Sequence, residues 1–357
     1  MIDPVGKEYQ GRISLEAQAV LTPSGLLRMM TRMNFRSMGR TGLNCSVIGL
    51  GTGRLASVSG GVSRTAAAQL IGVAEDCGIN LIDTADSYGQ GECEKILGQA
   101  LQGKRSKFVV TTKAGYCFSG LSGGLRFIKP LAKKVLKYFK GGKNLAGAVR
   151  SNVSRQDFSV GAIRNGVESS LRRLQTDYLD IFLLHTPPLP VMTEPPLWDL
   201  LRQLQREGKI RHFGVSSHDA ATLGGALHLP EVAVVQTPVN PLQASQREIW
   251  TRLQTGNVGV VANQIFLSGK LLGSPATTTD EAREHAALIA RLSSLAQQNG
   301  ISLNHLLLRY ALAQPGVVSV LTGTNSPEHL KQNVADALAV QPILSEAEIA
   351  KAITAVA

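Results

Sequence analysis

Short apolar runs alternate with amphipathic stretches along most of this chain. The runs Val47–Leu50, Asn80–Asp83, Phe108–Thr112, Leu179–Leu184, His212–Val215, Val232–Gln236, Val258–Ala262 and Val317–Leu321 predict eight strands. Each is apolar nearly throughout, as parallel strands covered on both faces by helices are. Helical repeats lie between them. Ala66, Leu70, Val73, Ala74 and Cys77 share one face behind a Ser63 cap. Ile163, Val167, Leu171 and Leu174 share a second, and Leu197, Leu200, Leu201 and Leu204 a third. Ser345 and Glu348 have the capping-box spacing that opens a last helix.

A closed barrel and an open doubly wound sheet both fit this alternation. Eight units, with no GxGxxG after the first strand, favour an α/β fold of the (β/α)8 TIM-barrel type. The turn residues Gly39, Arg40, Thr41 and Gly42 add an N-terminal β-hairpin ahead of the first barrel strand. Residues 1–32 lack any clear period and read as a loosely attached extension, with Met33 as an alternative start. Residues 33–357 then form the barrel domain, long enough for a fold that needs about 250 residues.

Composition narrows the class. The balance of apolar and charged residues is that of a soluble globular protein, and no apolar run approaches the roughly 18–20 residues that cross a bilayer. The first twenty residues have neither the basic region nor the apolar core of a secretory signal. Cys45, Cys77, Cys93 and Cys117 show no metal-ligand or disulfide spacing, which points to a reducing compartment and hence the cytosol. The net charge of +11 suggests nucleic acid until it is located. Nine basic residues and no acidic ones fall between Leu121 and Arg155, so the rest of the chain is close to neutral and a nucleic-acid partner is not expected.

Polar residues cluster where the predicted strands end, the face on which (β/α)8 barrels carry their chemistry. The second strand ends in Asp83 and leads to Tyr88; the third runs into Lys113; the fourth delivers His185. Singly, each has an ordinary structural reading as a cap, a snorkelling cation or a hydrogen-bonded histidine. Together, on successive strands, they converge on one rim. A tyrosine near its usual pKa of about 10 is a reluctant proton donor. A lysine beside it favours the phenolate, and an aspartate holds that lysine charged. A neutral histidine can direct a substrate oxygen. No activated serine or cysteine and no cluster of metal ligands accompanies them, so the set moves a proton on oxygen while another reactant, such as the hydride of a nicotinamide, completes the reaction.

These residues resemble the aldo-keto reductases from about Asn34 to Ser345. The run Leu81–Gly89 resembles the family signature that holds a catalytic aspartate and tyrosine. Val109–Lys113 resembles the strand bearing the catalytic lysine, and Ser170–His185 the helix and strand that lead to the catalytic histidine. The resemblance implies reduction of an aldehyde or ketone, with a sugar or keto-sugar among the candidates. Hydride would come from nicotinamide C4 and the proton from Tyr88. The reverse reaction of a sugar or alcohol dehydrogenase, and a cofactor-binding regulatory subunit without turnover, are the alternatives.

The resemblance also implies cofactor contacts. Gly51 and Thr52 match the loop after the first strand, and Asp83 adjoins it. Ser216 and Ser217 match a serine and its neighbour, often an asparagine, that hold the carboxamide; Gln236 matches an amide-binding glutamine. Asn263 stands where many members carry a tyrosine or arginine against the nicotinamide, followed by Gln264, Phe266 and Ser268 of the pyrophosphate loop. Gly323, Thr324, Asn325, His329, Gln332 and Asn333 match the adenine end, where Ser326 and Pro327 open a helix suited to an anion. The resemblance favours NADP(H) over NAD(H), although Asn325 and His329 replace the arginines that usually meet a 2′-phosphate.

Roughly residues 117–158 form an insert after the third strand. Ile128, Leu131, Ala132, Val135, Tyr138 and Phe139 recur at helical spacing among lysines. The favoured reading is a basic helix docked on the barrel as part of a lid; an interfacial membrane helix is the alternative. Arg54 and Thr186–Pro190 complete the expected pocket wall.

Overall fold

The computed structural model describes residues 19–21, 27–29, 32–56, 63–118, 154–272, 280–339, 344 and 346–354. The helix expected over Ile128–Phe139 and the Ser345 cap lie outside them. The chain divides into two units, Met1–Arg32 and Met33–Ala357. The first holds a short antiparallel ribbon, Ala19–Leu21 against Leu27–Met29.

The second unit is an eight-stranded closed barrel, parallel throughout. Its strands are β1 (Ile48–Gly51), β2 (Leu81–Asp83), β3 (Val109–Ala114), β4 (Leu179–His185), β5 (Ile210–Ser216), β6 (Val232–Pro238), β7 (Gly259–Asn263) and β8 (Val317–Gly323). All eight expected strands are present, with ends moved by at most two residues. The alternation of sides explains why both faces had to be apolar. On β4, Ile181 and Leu183 join Leu81, Val109, Val234 and Val261 in the barrel interior, while Phe182 and Leu184 pack outward with the helices. The antiparallel hairpin of Phe35–Ser37 and Asn44–Ser46 contributes Met38 and Cys45 to the interior cluster.

Helices α1 (Arg64–Asp76), α2 (Glu92–Ala100), α3 (Val160–Leu174) and α4 (Pro195–Arg206) follow strands β1 to β4. Ser63 caps α1 by accepting from Ala66 N, and Ser159 caps α3 by accepting from Ala162 N. The buried face of α1 is Ala67, Leu70, Ile71 and Ala74, one position round from the stripe read in the sequence. Two adjacent apolar stripes run along this helix, and burial selects the one with the bulkier Ile71. Among the described residues the remaining α-helices are α5 (Ala220–Leu227), α6 (Arg247–Thr255), α7 (Asp280–Gln298), α8 (Leu303–Ala313), α9 (Pro327–Leu338) and α10 (Glu346–Thr354).

Two buried carboxylates fix the strands that carry the site. Glu94 of α2, fully buried, accepts from Thr112 Oγ1 at 2.6 Å and from Arg173 Nε of α3 at 2.6 Å, so it ties both helices to β3 beside Lys113. Asp180 takes Arg105, Arg211 and the Val110 amide on its two oxygens. Such carboxylates are tolerated inside a protein because both oxygens are satisfied. Gly214 has a different reason for its place: a Cβ there would lie 1.7 Å from the Val234 carbonyl oxygen, so only glycine permits the close β5–β6 approach that aligns Ser216 with Gln236.

Tyr116–Phe118, directly after β3, pairs antiparallel with Ser154–Gln156, so the inserted segment leaves and rejoins the barrel through a two-stranded ribbon.

Candidate active site

Strand register sets the candidate residues round one rim. Gly323 pairs with Gly51 and Gly51 with Asp83, while His185 pairs with Ser216 and Ser216 with Gln236. Lys113 sits within β3, one residue from its end, and Asn263 closes β7 opposite Pro238. Tyr88 follows β2 in a single 3-10 turn, and its amide donates to the Ala85 carbonyl.

Lys113 is fully buried. Its Nζ lies 2.7 Å from Asp83 Oδ1 and 2.8 Å from Oδ2, donates to the Thr84 carbonyl at 2.8 Å and reaches the Tyr88 hydroxyl at 3.4 Å. Burial alone would discharge this amine, but Asp83 and Tyr88 outweigh it and hold the Lys113 pKa above its ordinary value. The lysine is therefore a fixed cation.

The sequence suggested that this cation would make Tyr88 more acidic. Lys113 does pull the phenol down, yet burial and the charge of Asp83 push it up, and the net position is above the ordinary value. Asp83 thus cancels much of the lysine's field at the hydroxyl. Tyr88 is held protonated at neutral pH.

His185 is pushed down to about 3, by burial first and by the Lys113 charge second, so its imidazole is neutral. Ser87 Oγ lies 3.3 Å from His185 Nδ1. The Tyr88 ring meets the imidazole edge-on at 6.1 Å, and the Tyr116 ring does so at 5.0 Å. Gln156 Nε2 donates to the Thr186 carbonyl at 2.8 Å and to Tyr116 Oη at 3.3 Å, which joins the ribbon to the loop after β4.

Sequence reasoning missed Ser87, the Thr84 carbonyl, Tyr116 and Gln156. Ser87 stood inside the Leu81–Gly89 block, but nothing in the sequence aimed it at His185. Tyr116 is brought there by the ribbon pairing, which carries no local motif. Asp86 was missed as well: its carboxyl rises to about 7, from burial first and the nearby Glu94 charge second, and Oδ1 has no partner among the described residues.

A second network adjoins the first. Gln236 Nε2 donates to Asp83 Oδ1 at 2.7 Å, while its Oε1 accepts from Ser216 Oγ at 3.1 Å and from Asn263 Nδ2 at 3.3 Å. Thr52 donates both its amide and its hydroxyl to the Asp83 carbonyl, each at 2.9 Å. Ser217 is buried, and its Oγ accepts from the Asp219 amide at 3.1 Å.

Past β7, Gln264 is exposed at a left-handed φ of 50° and Phe266 packs against the core; Ser268 belongs to the following 3-10 helix, and its side chain lies outside the described residues. At the far end of the rim, Thr324 Oγ1 accepts from the Ser326 amide at 3.0 Å, and Ser326 caps α9 by accepting from His329 N at 3.2 Å. Asn325 and His329 are exposed. Glu328 also sits on this first turn and accepts from Ser326 Oγ at 3.0 Å. Gln332 and Asn333 bond within the helical layer, to Asp336 and Asn304 respectively, rather than to the rim. Among the described residues no group of three or more His, Cys, Asp or Glu side chains could hold a metal ion, and no helix is long and apolar enough to cross a membrane.

The closed barrel keeps a protonated phenol, a buried ammonium and a neutral imidazole at its C-terminal rim, a set whose chemistry can move a proton on a ligand oxygen. Comparison with known proteins makes the assignment specific. The family model of the Aldo/keto reductase family matches residues 47–353, and the chain belongs to that family. An uncharacterized oxidoreductase of Bacillus subtilis, YqkF, is 27% identical over 326 residues, covering 89% of this chain and 94% of that protein. The NADH-specific methylglyoxal reductase of Escherichia coli is 27% identical, covering 84% and 91%. Among solved structures, the holo form of aldo-keto reductase AKR11C1 from Bacillus halodurans superposes with a TM-score of 0.72 at 27% identity, covering 90% and 96%. The glycerol dehydrogenase AKR11B4 from Gluconobacter oxydans gives 0.68 at 25%, covering 91% and 94%.

Proposed function

We propose that this protein reduces an aldehyde or ketone to the alcohol with an NAD(P)H cofactor, Tyr88 donating the proton. The observation that carries the reading is the Tyr88 hydroxyl held against buried Lys113, itself paired to Asp83. Tyr88 has a proton to give at neutral pH, and Lys113 remains cationic to stabilise the phenolate left behind. His185, neutral, directs the substrate oxygen: in the tautomer whose Nδ1 accepts from the Ser87 hydroxyl, 3.3 Å away, the imidazole proton sits on Nε2 and is available to that oxygen. The same groups serve alcohol oxidation in reverse, so direction follows the supply of substrate. Four free thiols suit the cytosol as its setting.

The residues present fit a nicotinamide cofactor. Ser216, Gln236 and Asn263 form a polar floor next to Asp83, and Asn263 Oδ1 is a buried acceptor without a partner among the described residues. Gly51 and Thr52 would adjoin the cofactor from β1, and Gln264, Phe266 and Ser268 would follow it beyond β7. Gly323, Thr324, Asn325 and His329 would meet its adenosine end. When bound, the cofactor supplies hydride to the carbonyl carbon. The family resemblance favours NADP(H), and Asn325 and His329 can donate to a 2′-phosphate; neither is a guanidinium and Glu328 places a carboxylate on the same turn, so the preference is expected to be shallow.

The test is oxidation of NADPH and NADH by the purified protein with a panel of aldehydes, ketones and keto-sugars, alongside both dissociation constants. Turnover with at least one carbonyl is expected, and NADPH should bind tighter by about tenfold or less, roughly 1.4 kcal/mol. Tight cofactor binding with no turnover on any carbonyl would instead favour a regulatory subunit, and tighter NADH binding would reverse the cofactor preference.

A further inference from the structure

The hydrogen-bond polarity of the floor beneath the rim is fixed by one residue that can only accept. Asp83 as a carboxylate has no proton to donate, so the Gln236 amide must turn its Nε2 toward Oδ1, 2.7 Å away. That orientation sends Gln236 Oε1 the other way, where it needs donors. Ser216 Oγ at 3.1 Å and Asn263 Nδ2 at 3.3 Å supply them. Turning the Asn263 amide over would set oxygen against oxygen, so its orientation is determined as well. Asn263 Oδ1 therefore faces away from Gln236. It is buried and has no partner among the described residues, although the Asn263 backbone is anchored by the Val239 amide at 3.1 Å.

A buried amide oxygen without a donor is unfavourable, and at this rim a ligand N–H would satisfy it. The residue from which that contact would otherwise be expected is Ser217. Its hydroxyl oxygen is already engaged by the Asp219 amide, and its side chain is too short to carry an amide group.

We propose that Asn263 reads the carboxamide of the nicotinamide ring, its Oδ1 accepting an N–H of the ligand's primary amide. The asparagine acts as a hydrogen-bonding residue supplied from β7, not as a stacking surface. Ser216 works with it: its proton goes to Gln236, which leaves lone pairs on Ser216 Oγ, so both side chains have acceptor capacity for a ligand group that brings donors. The inference rests on the nicotinamide reading above and specifies which part of that ligand this floor selects.

Calorimetric titration of the full chain tests it. The ligands are NADP+ or NAD+, whichever binds tighter, its 3-acetylpyridine analogue and its thionicotinamide analogue. The acetyl group keeps the carbonyl and removes both N–H donors, whereas the thioamide keeps them. The wild-type protein should bind the acetylpyridine analogue about tenfold more weakly than the native cofactor, and the thionicotinamide analogue within about threefold. Asn263→Leu should bind native cofactor and acetylpyridine analogue within about twofold of each other. Asn263→Ala gives the same readout if the leucine variant does not fold. Equal wild-type affinity for native cofactor and acetylpyridine analogue overturns the proposal, as does undiminished discrimination in the variants. Failure of the wild-type protein to bind either native cofactor is a separate result, which overturns the nicotinamide reading and this inference with it.

Discussion

Tyr88→Phe is expected to lower kcat for carbonyl reduction by about 10²–10⁴-fold while the cofactor dissociation constant stays within about twofold. The phenyl ring keeps the packing of Tyr88 against His185, and Lys113 Nζ keeps its position 4.9 Å from the ring centroid. What is lost is the hydroxyl at 3.4 Å from Lys113. His185 is pushed down to about 3 and is neutral, so its N–H can orient an oxygen but is a poor acid. The pH profile of the wild-type reaction follows from the same two groups. Tyr88 is protonated below its raised pKa, so reduction should not fall with rising pH until above about pH 10. His185 charges only near pH 3 and imposes no acid limb above about pH 4. Rates of Tyr88→Phe comparable to wild type would remove Tyr88 from the proton step.

Lys113→Met is expected to cost about 3–5 kcal/mol of unfolding free energy as well as most of the activity. The substitution fills the space but leaves Asp83 buried, with only Gln236 Nε2 donating to its carboxylate. Denaturant unfolding at neutral pH would measure the loss. Its pH dependence has a definite sign. The folded pKa of Lys113 lies above the unfolded value of about 10.4, so the folded protein binds the proton more tightly. The stabilisation is complete below that unfolded value and is lost as pH rises through the folded one. Wild type and Lys113→Met should therefore differ most at neutral pH, and the difference should narrow as pH rises from the unfolded value through the raised folded one. An unfolding free energy of the variant within about 1 kcal/mol of wild type would mean that Asp83 does not depend on this cation.

The strands were legible because a barrel strand is covered on both sides, which leaves a short run that is apolar nearly throughout. Asp83, Lys113 and His185 were legible for the reason that each ends or nearly ends such a run, where side chains face the rim. Position could be read, but electrostatic balance could not. The acidity of Tyr88 depends on how burial and Asp83 offset Lys113, and the sequence indicated only the lysine's share. Tyr116 against His185 depends on the pairing of Tyr116–Phe118 with Ser154–Gln156, two segments separated by a long insertion. Asn263 stood out as a departure from its family, yet the role proposed for it rests on the hydrogen-bond polarity that Asp83, an acceptor, sets through Gln236. On α1, periodicity gave the helix but not which of two neighbouring apolar stripes turns inward.

Reduction of a carbonyl at this rim, with hydride from the nicotinamide and the proton from Tyr88, is open to isotopic labelling. The most direct test uses NAD(P)H dideuterated at C4, a carbonyl substrate found in the panel and mass spectrometry of the product. One deuterium is expected on the carbinol carbon of every product molecule. Product alcohol without deuterium, or cofactor consumed with no alcohol formed, would contradict it.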